Sequence, residues 1–448
     1  MRPQVPIKSS AVRHLLLRPT DAAGARFEIE SVRLIFRKEH LANIPAGVGW
    51  HGLRDIYRET LVARAPERIR MELRVPDRPW LDFAVGTIED GPVTFRVGVK
   101  AGGGSGGEIL FERTVTTPDR WDTARVDLSE FAGREVTVSL SLAAEQNGAI
   151  GFWGAPVVRD DGAEPQREES AAGNRPQGVI LIMADTLRGD HLDAYGYHRP
   201  TAPVLNSLAK EGALFRDCLA QATWTKVSTP SLLTSLYPST HGVAEMSDRL
   251  PGSATTLAEV FRDAGYATLS VSSVPFSGQM TNLHQGFEQL HERSSISEGG
   301  SKTAREYVDR LLPWLEAHRE VPFFVFLHVF DPHDPFEPRK PFNTLWASAE
   351  RGEEHKKQME ELKKFIQRPF MKRRALPNEE ELKKSGLDRE AFLSHLHDWY
   401  DGSIRGMGAE IERILGQLRT LDLDDKTLIV FTSDHGEEFL EHGLMFHG

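Results

Sequence analysis

The spacing of hydrophobic residues changes once along this chain, near residue 160, and that change limits the folds open to it. Before it, apolar residues recur at every second position. Val93, Phe95, Val97 and Val99 form one such run, and Val136, Val138, Leu140 and Leu142 form another. Phe27 and Ile29, then Val32, Leu34 and Phe36, give shorter patterns of the same kind. A period of two places one face of a strand in a core and the other in water. Turn clusters such as Glu89-Asp90-Gly91-Pro92 and the glycine-rich stretch 102–107 separate the runs. Residues 1–160 are therefore predicted to form an all-β sandwich.

Beyond residue 178 the apolar residues come in solid blocks, Val179–Met183, Phe323–Leu327 and Thr427–Phe431. Such blocks mark strands buried on both faces. Helical patterns lie between them: 202–210 stopped by Gly212, a helix opened by the capping box of Thr256 and Glu259, 303–318 with a kink expected at Pro313, and 409–421. A further strand is predicted at 267–271, and charged surface helices or a solvated lid over 348–395. Strands alternating with helices predict an α/β unit, a large and mostly parallel sheet between helices. Residues 159–178 have no apolar period and are rich in polar residues, Gly and Pro. The organisation read from this is a β-sandwich over 1–160, a linker over 161–177 and an α/β unit over 178–448.

A chain of 448 residues is long enough for two or three domains. The net charge of −11 argues against a general nucleic-acid binder. No apolar stretch is long enough to cross a bilayer, and the first residues lack the apolar core of a signal peptide. The single cysteine, Cys218, excludes an intrachain disulfide framework and is expected to be a core thiol.

In parallel α/β sheets the functional site lies off the carboxyl ends of the strands. Asp185 and Thr186 follow the first block. His328, Asp331, His333 and Asp334 end and follow the second. Asp434, His435 and Glu437 follow the third. Residues 222–242 read ATWTKVSTPSLLTSLYPSTHG and place Thr225 and Ser228 just before an apolar helix. A hydroxyl at a helix N-terminus sits among unpaired N–H groups and favours an anion, although helix capping alone accounts for one there. Carboxylates, imidazoles and a hydroxyl converging on one sheet edge suit a divalent metal and an anionic ester.

From residue 178 onward the chain resembles the sulfatase branch of the alkaline phosphatase superfamily. The resemblance rests on ILIMADTLRGDHLDAYGY, TAPVLNSLAKEGALF, WTKVSTPSLLTSLYPSTHGV, PFFVFLHVFDPHDPFEP and TLIVFTSDHGEEFLEHGLMFHG, in the family's order. It implies an alkaline-phosphatase-like fold with one divalent ion held by Asp185, Asp434 and His435 together with the nucleophile. It implies His333 near the substrate's anionic group or leaving oxygen, and His447 as a leaving-group assistant. The signature segment can be registered on Ser228 or on Thr225. Counting back from Leu232-Leu233-Thr234 favours Thr225, leaving Ser228 and Lys226 as substrate contacts. The N-terminal phrase WDTARVDLSEFAGREVTVSLSL, followed by GFWGAPVV, resembles jelly-roll accessory domains of carbohydrate-active enzymes. Glycan binding through exposed aromatics is one expectation for it, and a spacer with Trp121 and Trp153 in its core is the other.

The departures from the family are as informative. Threonine is no substrate for the conversion to formylglycine that sulfatases use. Thr229 stands at the signature Arg position, Thr186 replaces the second Asp of a tandem pair, and Ser270-Val-Ser-Ser273 stands where a Lys-x-His element is found. These features lean toward phosphate esters over sulfate esters. His435 shifts the expected ion toward zinc or manganese, ahead of calcium or magnesium. The expected substrate is a small-molecule, glycan or lipid anionic ester. The resemblance also implies export to the periplasm or cell exterior, and further strands and helices beyond Gly448, so the chain is expected to be a fragment. The alternative is an inactive sulfatase-like scaffold with a glycan-binding β-domain.

Overall fold

The computed structural model describes residues 26, 28, 37–53, 56–102, 107–160, 175–292 and 303–447. The early alternating patterns at Phe27–Ile29 and Val32–Phe36, and most of the predicted linker, lie outside the described residues. The chain divides into two compact units, Met1–Ala163 and Glu164–Gly448.

The first unit opens with a short helix, α1 (Arg37–Ala42). Nine strands follow: β1 (Gly47–Leu53), β2 (Ile56–Arg64), β3 (Arg68–Arg74), β4 (Pro79–Thr87), β5 (Val93–Ala101), β6 (Glu108–Val115), β7 (Arg120–Asp127), β8 (Glu135–Ala144) and β9 (Ile150–Asp160). One sheet runs β1-β2-β9-β4-β7 and the other β3-β8-β5-β6, with every pairing antiparallel. The two alternating runs are β5 and β8, which pair with Val97 opposite Leu140. Their apolar faces meet Leu81, Phe83 and Val85 of β4 and Trp153 of β9 in one core. The Trp153 ring stands 5.6 Å from Phe83 and 5.1 Å from Phe95. Trp121 is buried as well and donates to the Ile56 carbonyl oxygen at 2.9 Å. No Trp, Tyr or Phe among the described residues of this unit is exposed. Both tryptophans are thus core residues.

In the second unit β10 (Gly178–Ala184), β11 (Ala267–Ser272), β12 (Gln289–Glu292), β13 (Phe323–Val329) and β14 (Thr427–Ser433) lie in the order β14-β10-β13-β11-β12, all parallel. The helices of this unit are α2 (Pro203–Glu211), α3 (Thr225–Thr234), α4 (Pro238–His241), α5 (Leu257–Asp263), α6 (Ala304–Ala317), α7 (Ala349–Leu362), α8 (Pro369–Arg374), α9 (Glu379–Ser385) and α10 (Arg389–Thr420). Successive residues of β10 feed two cores. Ile180, Ile182 and Ala184 pack with Tyr307 and Leu311 of α6 and with Ile404 and Met407 of α10. Val179, Leu181 and Met183 pack with Leu233 of α3 and Ala258 of α5. Full burial of such a side chain contributes roughly 1.5–3 kcal/mol on either face, which is why the run is apolar at every position.

Several local readings change. The Thr256 capping box forms as expected, with Thr256 Oγ1 accepting the Glu259 N–H and Glu259 Oε2 accepting the Thr256 N–H. The 303–318 helix runs through Pro313, its buried face of Tyr307, Leu311, Trp314 and Leu315 holding both halves. α10 is far longer than the 409–421 segment, because Gly402 and Gly406 break the apolar pattern without breaking the helix. A Cβ on Gly402 would meet the Phe342 carbonyl oxygen at 2.7 Å, so glycine admits a neighbouring backbone there. Cys218 is exposed, not a core thiol, because it lies in an irregular stretch whose residues are exposed on either side of it. Among the described residues no helix is long and apolar enough to cross a membrane.

Candidate active site

The strand register builds the site. Ala184, the last residue of β10, stands opposite Val329 of β13 and Ser433 of β14. The next residues of β10 and β14, Asp185 and Asp434, therefore leave neighbouring strands at the same edge. His328 is the penultimate residue of β13, and Thr225 is the first residue of α3. Thr225 Oγ1 donates to Asp185 Oδ1 at 3.5 Å and lies 3.3 Å from His435 Nε2. His435 Nε2 is 3.8 Å from Asp185 Oδ1 and 3.3 Å from Asp434 Oδ2. His328 Nε2 approaches Asp185 Oδ2 to 3.6 Å, and Asp185, His328 and Asp434 each offer a ligand atom within 4.8 Å of the others. All five side chains are buried.

Their outer bonds fix which atoms face inward. His435 Nδ1 bonds the Gly436 carbonyl oxygen at 2.9 Å, which leaves the Nε2 lone pair toward Thr225. His328 Nδ1 is held by Ser273 Oγ at 2.8 Å and Ser277 Oγ at 3.2 Å. Asp434 Oδ1 accepts the N–H groups of Thr186 and His435 at 3.1 and 2.8 Å. Asp434 Oδ2 and His328 Nε2 are buried and make no hydrogen bond. Burial, followed by the carboxylates of Asp434, Glu437 and Asp334, raises the Asp185 pKa well above the ordinary carboxylate range. Crowded carboxylates and orphaned buried acceptors are costly without a cation. Oxygen and imidazole donors in this set fit one divalent ion. Adjacent ligands on a tetrahedral zinc stand about 3.3 Å apart, close to the Thr225–His435 and His435–Asp434 spacings.

A second group borders the first. His333 Nδ1 pairs with Asp334 Oδ1 at 2.9 Å, and Arg374 of α8 also pairs with Asp334. Burial opposes a charged imidazole, but Asp334 and Glu437 outweigh it and hold the His333 pKa above its usual value. His447 Nδ1 lies 3.1 Å from Glu437 Oε1, and its ring is 4.9 Å from His333 and 4.5 Å from His435. Burial and the neighbouring His333 lower the His447 pKa to about 3, while burial raises Glu437 to about 8.

Asp185, Thr225, Asp434 and His435 thus converge as the sequence suggested, with His333 and His447 beside them. Ser228 is close but committed, its hydroxyl donating to the Asp434 carbonyl oxygen at 2.6 Å. Neither hydroxyl caps α3, whose N-cap is Trp224 with no side-chain bond. Lys226 does not join the cluster, because its ammonium is held by the Asp248 carbonyl oxygen and by Thr281 Oγ1. Asp331 caps α6 through the Ala304 N–H. Four residues given no individual role from sequence are present, His328, Asp334, Glu437 and Arg374, the first three standing among the strand-end acids and imidazoles. His328 carried a signal, a lone imidazole inside an apolar block. Arg374 carried none, being one of many charges in 348–395.

The sulfatase family model matches residues 177–448, which hold every residue of both groups. The chain belongs to the sulfatase family. It is 26% identical to iduronate 2-sulfatase of Mus musculus over 323 residues, covering 62% of this chain and 58% of that protein. It is 23% identical over 335 residues to the multifunctional alkaline phosphatase superfamily protein PehA of Trinickia caryophylli, covering 60% of this chain and 65% of that one. Among solved structures, the phosphonate monoester hydrolase of Agrobacterium radiobacter aligns at 20% identity and a TM-score of 0.45, over 61% of this chain and 65% of that chain. This sulfatase-family chain spans less than two thirds of the length of these curated relatives.

Proposed function

We propose that this chain is a metal-dependent sulfatase-family hydrolase or transferase that cleaves an anionic ester by in-line displacement at Thr225, with phosphate esters favoured over sulfate esters. The observation that carries the reading is the position of Thr225 Oγ1 at the start of α3, 3.5 Å from Asp185 and 3.3 Å from His435. Asp185, Asp434, His435 and the Thr225 hydroxyl would hold the ion, zinc or manganese by donor type, and His328 Nε2 is a further donor within reach of the two aspartates.

The helix end alone contributes roughly 0.3–1 kcal/mol to an anion, too little to ionise a threonine. A bound divalent ion would supply the rest, since such ions lower the pKa of water from about 15.7 to about 7, roughly 12 kcal/mol. Thr225, its hydroxyl acidified in this site, would lose its proton to solvent water, and Oγ1 attacks the phosphorus or sulfur. The bond to the leaving alcohol breaks, and the departing oxygen takes a proton from His333, whose Nδ1 is fixed by Asp334. Water or an acceptor alcohol then releases the bound group. His447 is held deprotonated and suits an accepting role better than a donating one. Threonine in place of a convertible Cys supports the lean to phosphate. The name of the related iduronate 2-sulfatase points to a sulfated sugar, which makes a glycan, lipid or small-molecule anionic ester the class to test.

The deciding experiment assays the full-length protein, stripped of metal and reloaded, on paired aryl sulfate, phosphate monoester and phosphodiester substrates. Turnover that requires a divalent ion and favours a phosphate ester is expected. Turnover untouched by metal removal, or none on any ester, would overturn the proposal.

A further inference from the structure

Thr186, between Asp185 and the rest of the loop, has a φ of 58° and is fully buried. The left-handed region is unfavourable for a β-branched residue and persists only where its surroundings enforce it. The enforcing bonds are visible. The Thr186 N–H donates to Asp434 Oδ1 at 3.1 Å, and the Thr186 carbonyl oxygen accepts the Tyr400 hydroxyl at 2.6 Å. The same hydroxyl oxygen accepts the Arg188 N–H at 2.9 Å. One phenol from the middle of α10 thereby ties both ends of the turn that follows Asp185.

Tyr400 is suited to this task. It is fully buried, with its ring edge-on to His191 at 4.9 Å, Phe439 at 5.2 Å and Phe336 at 6.0 Å. Burial raises its pKa well above the usual phenol value, so the hydroxyl stays a donor throughout the working range. The turn it secures engages Asp434 Oδ1, leaving Oδ2 as the carboxylate oxygen that faces His435.

We infer that Tyr400 is a positioning residue, whose hydroxyl holds residues 185–188 in the left-handed turn that aligns Asp185 and Asp434 on one cation. The inference rests on the metal-dependent reading above. It differs from a packing role for the ring, which Tyr400→Phe would preserve. Ser403 gives a control on the same helix, since its hydroxyl donates to the Phe336 carbonyl oxygen at 3.0 Å, in the loop that carries His333 and Asp334, and not to the turn over residues 185–188.

The experiment titrates zinc, and separately cobalt(II), into the metal-free full-length protein, with folding checked by circular dichroism. Tyr400→Phe is expected to weaken binding by about 10–100-fold and to change the visible cobalt spectrum. Ser403→Ala is expected to leave both unchanged. Equal affinity and spectrum in native protein and Tyr400→Phe, or equal losses in both variants, would overturn the assignment while native binding kept the metal reading intact. Native protein that binds neither ion would overturn both. If Tyr400→Phe does not fold, the double variant Thr186→Gly/Tyr400→Phe reads the same claim, because glycine keeps a left-handed turn without a clamp and should restore the fold. Its affinity should then match the native value, and a loss of tenfold or more counts against the inference.

Discussion

Asp398 and Asp401 of α10 are buried as deeply as Asp185 and Asp434, yet their surroundings are opposite in kind. Asp401 accepts bonds from His191 Nδ1 at 2.6 Å and from the Tyr197 hydroxyl and Arg199, each at 2.8 Å. Asp398 is met by Arg199 at 2.8 Å and Arg351 at 3.0 Å. Every carboxylate oxygen there has a donor, and two guanidinium groups balance the charge. At the strand ends, carboxylates crowd one another, Asp434 Oδ2 and His328 Nε2 make no hydrogen bond, and Asp185 is driven toward its protonated form. A balanced buried network holds a fold together. An unbalanced one beside a helix N-terminus is a place kept for charge from outside.

The contrast is open to direct attack, most strongly at the nucleophile. Thr225→Ala should lower ester turnover by at least about a thousandfold, whereas Ser228→Ala should cost only about tenfold, since Ser228 supports the Asp434 backbone. Steady-state rates of the two variants test this, and a larger loss in Ser228→Ala would reverse the assignment. Next come the two aspartates. Asp434→Asn should lose divalent-ion affinity by about a hundredfold or more without lowering the stability of the metal-free protein, because Asn keeps an acceptor for the Thr186 and His435 N–H groups and removes a crowding charge. Asp401→Ala should do the reverse, lowering stability by about 3–5 kcal/mol because His191 and the Tyr197 hydroxyl lose their buried acceptor and Arg199 keeps only Asp398. Urea unfolding of metal-free protein, set beside metal titration, separates the two.

A smaller effect concerns pH. His355 of α7 and His395 of α10 are buried with ring centroids 4.3 Å apart, and none of their four nitrogens has a hydrogen-bond partner. Burial, each other and Arg351 lower His355 to about 3, and burial with Arg351 lowers His395 to about 4. Both folded values lie below the unfolded value of about 6.5, so the unfolded chain takes up protons first as pH falls. This contribution to stability is complete above pH 6.5 and is lost on acidification toward pH 4. His355→Phe should flatten the decline between those values by roughly 1.4 kcal/mol per pH unit, read from urea midpoints.

The sequence made the layers legible for a physical reason. Strands covered on both faces must be apolar at every position, and strands covered on one face must alternate. β10, β13, β5 and β8 follow these rules, and the end of β10 delivered Asp185. β14, whose end carries Asp434 and His435, reads from sequence as buried on both faces but is an edge strand with Leu428 and Val430 exposed. What stayed hidden depends on register and distance. The sequence places His328 at a strand end, but Ser273 and Ser277, which hold its ring, meet it only in the fold. Arg374 reaches Asp334 from 40 positions further along the chain. Lys226 follows Thr225 directly, but one residue turns a helix by about 100°, and its ammonium ends on Asp248. The left-handed turn at Thr186 has no sequence mark, since glycine or asparagine would have signalled it and threonine does not.

The most direct test of Thr225 as the nucleophile is to trap the enzyme-bound group. Full-length protein, loaded with its divalent ion and quenched in acid during turnover of an activated ester, is digested and its peptides are weighed. A phosphoryl or sulfo group on Thr225, absent in Thr225→Ala, is the expected result. A group carried by Ser228, or full turnover by Thr225→Ala, would contradict it.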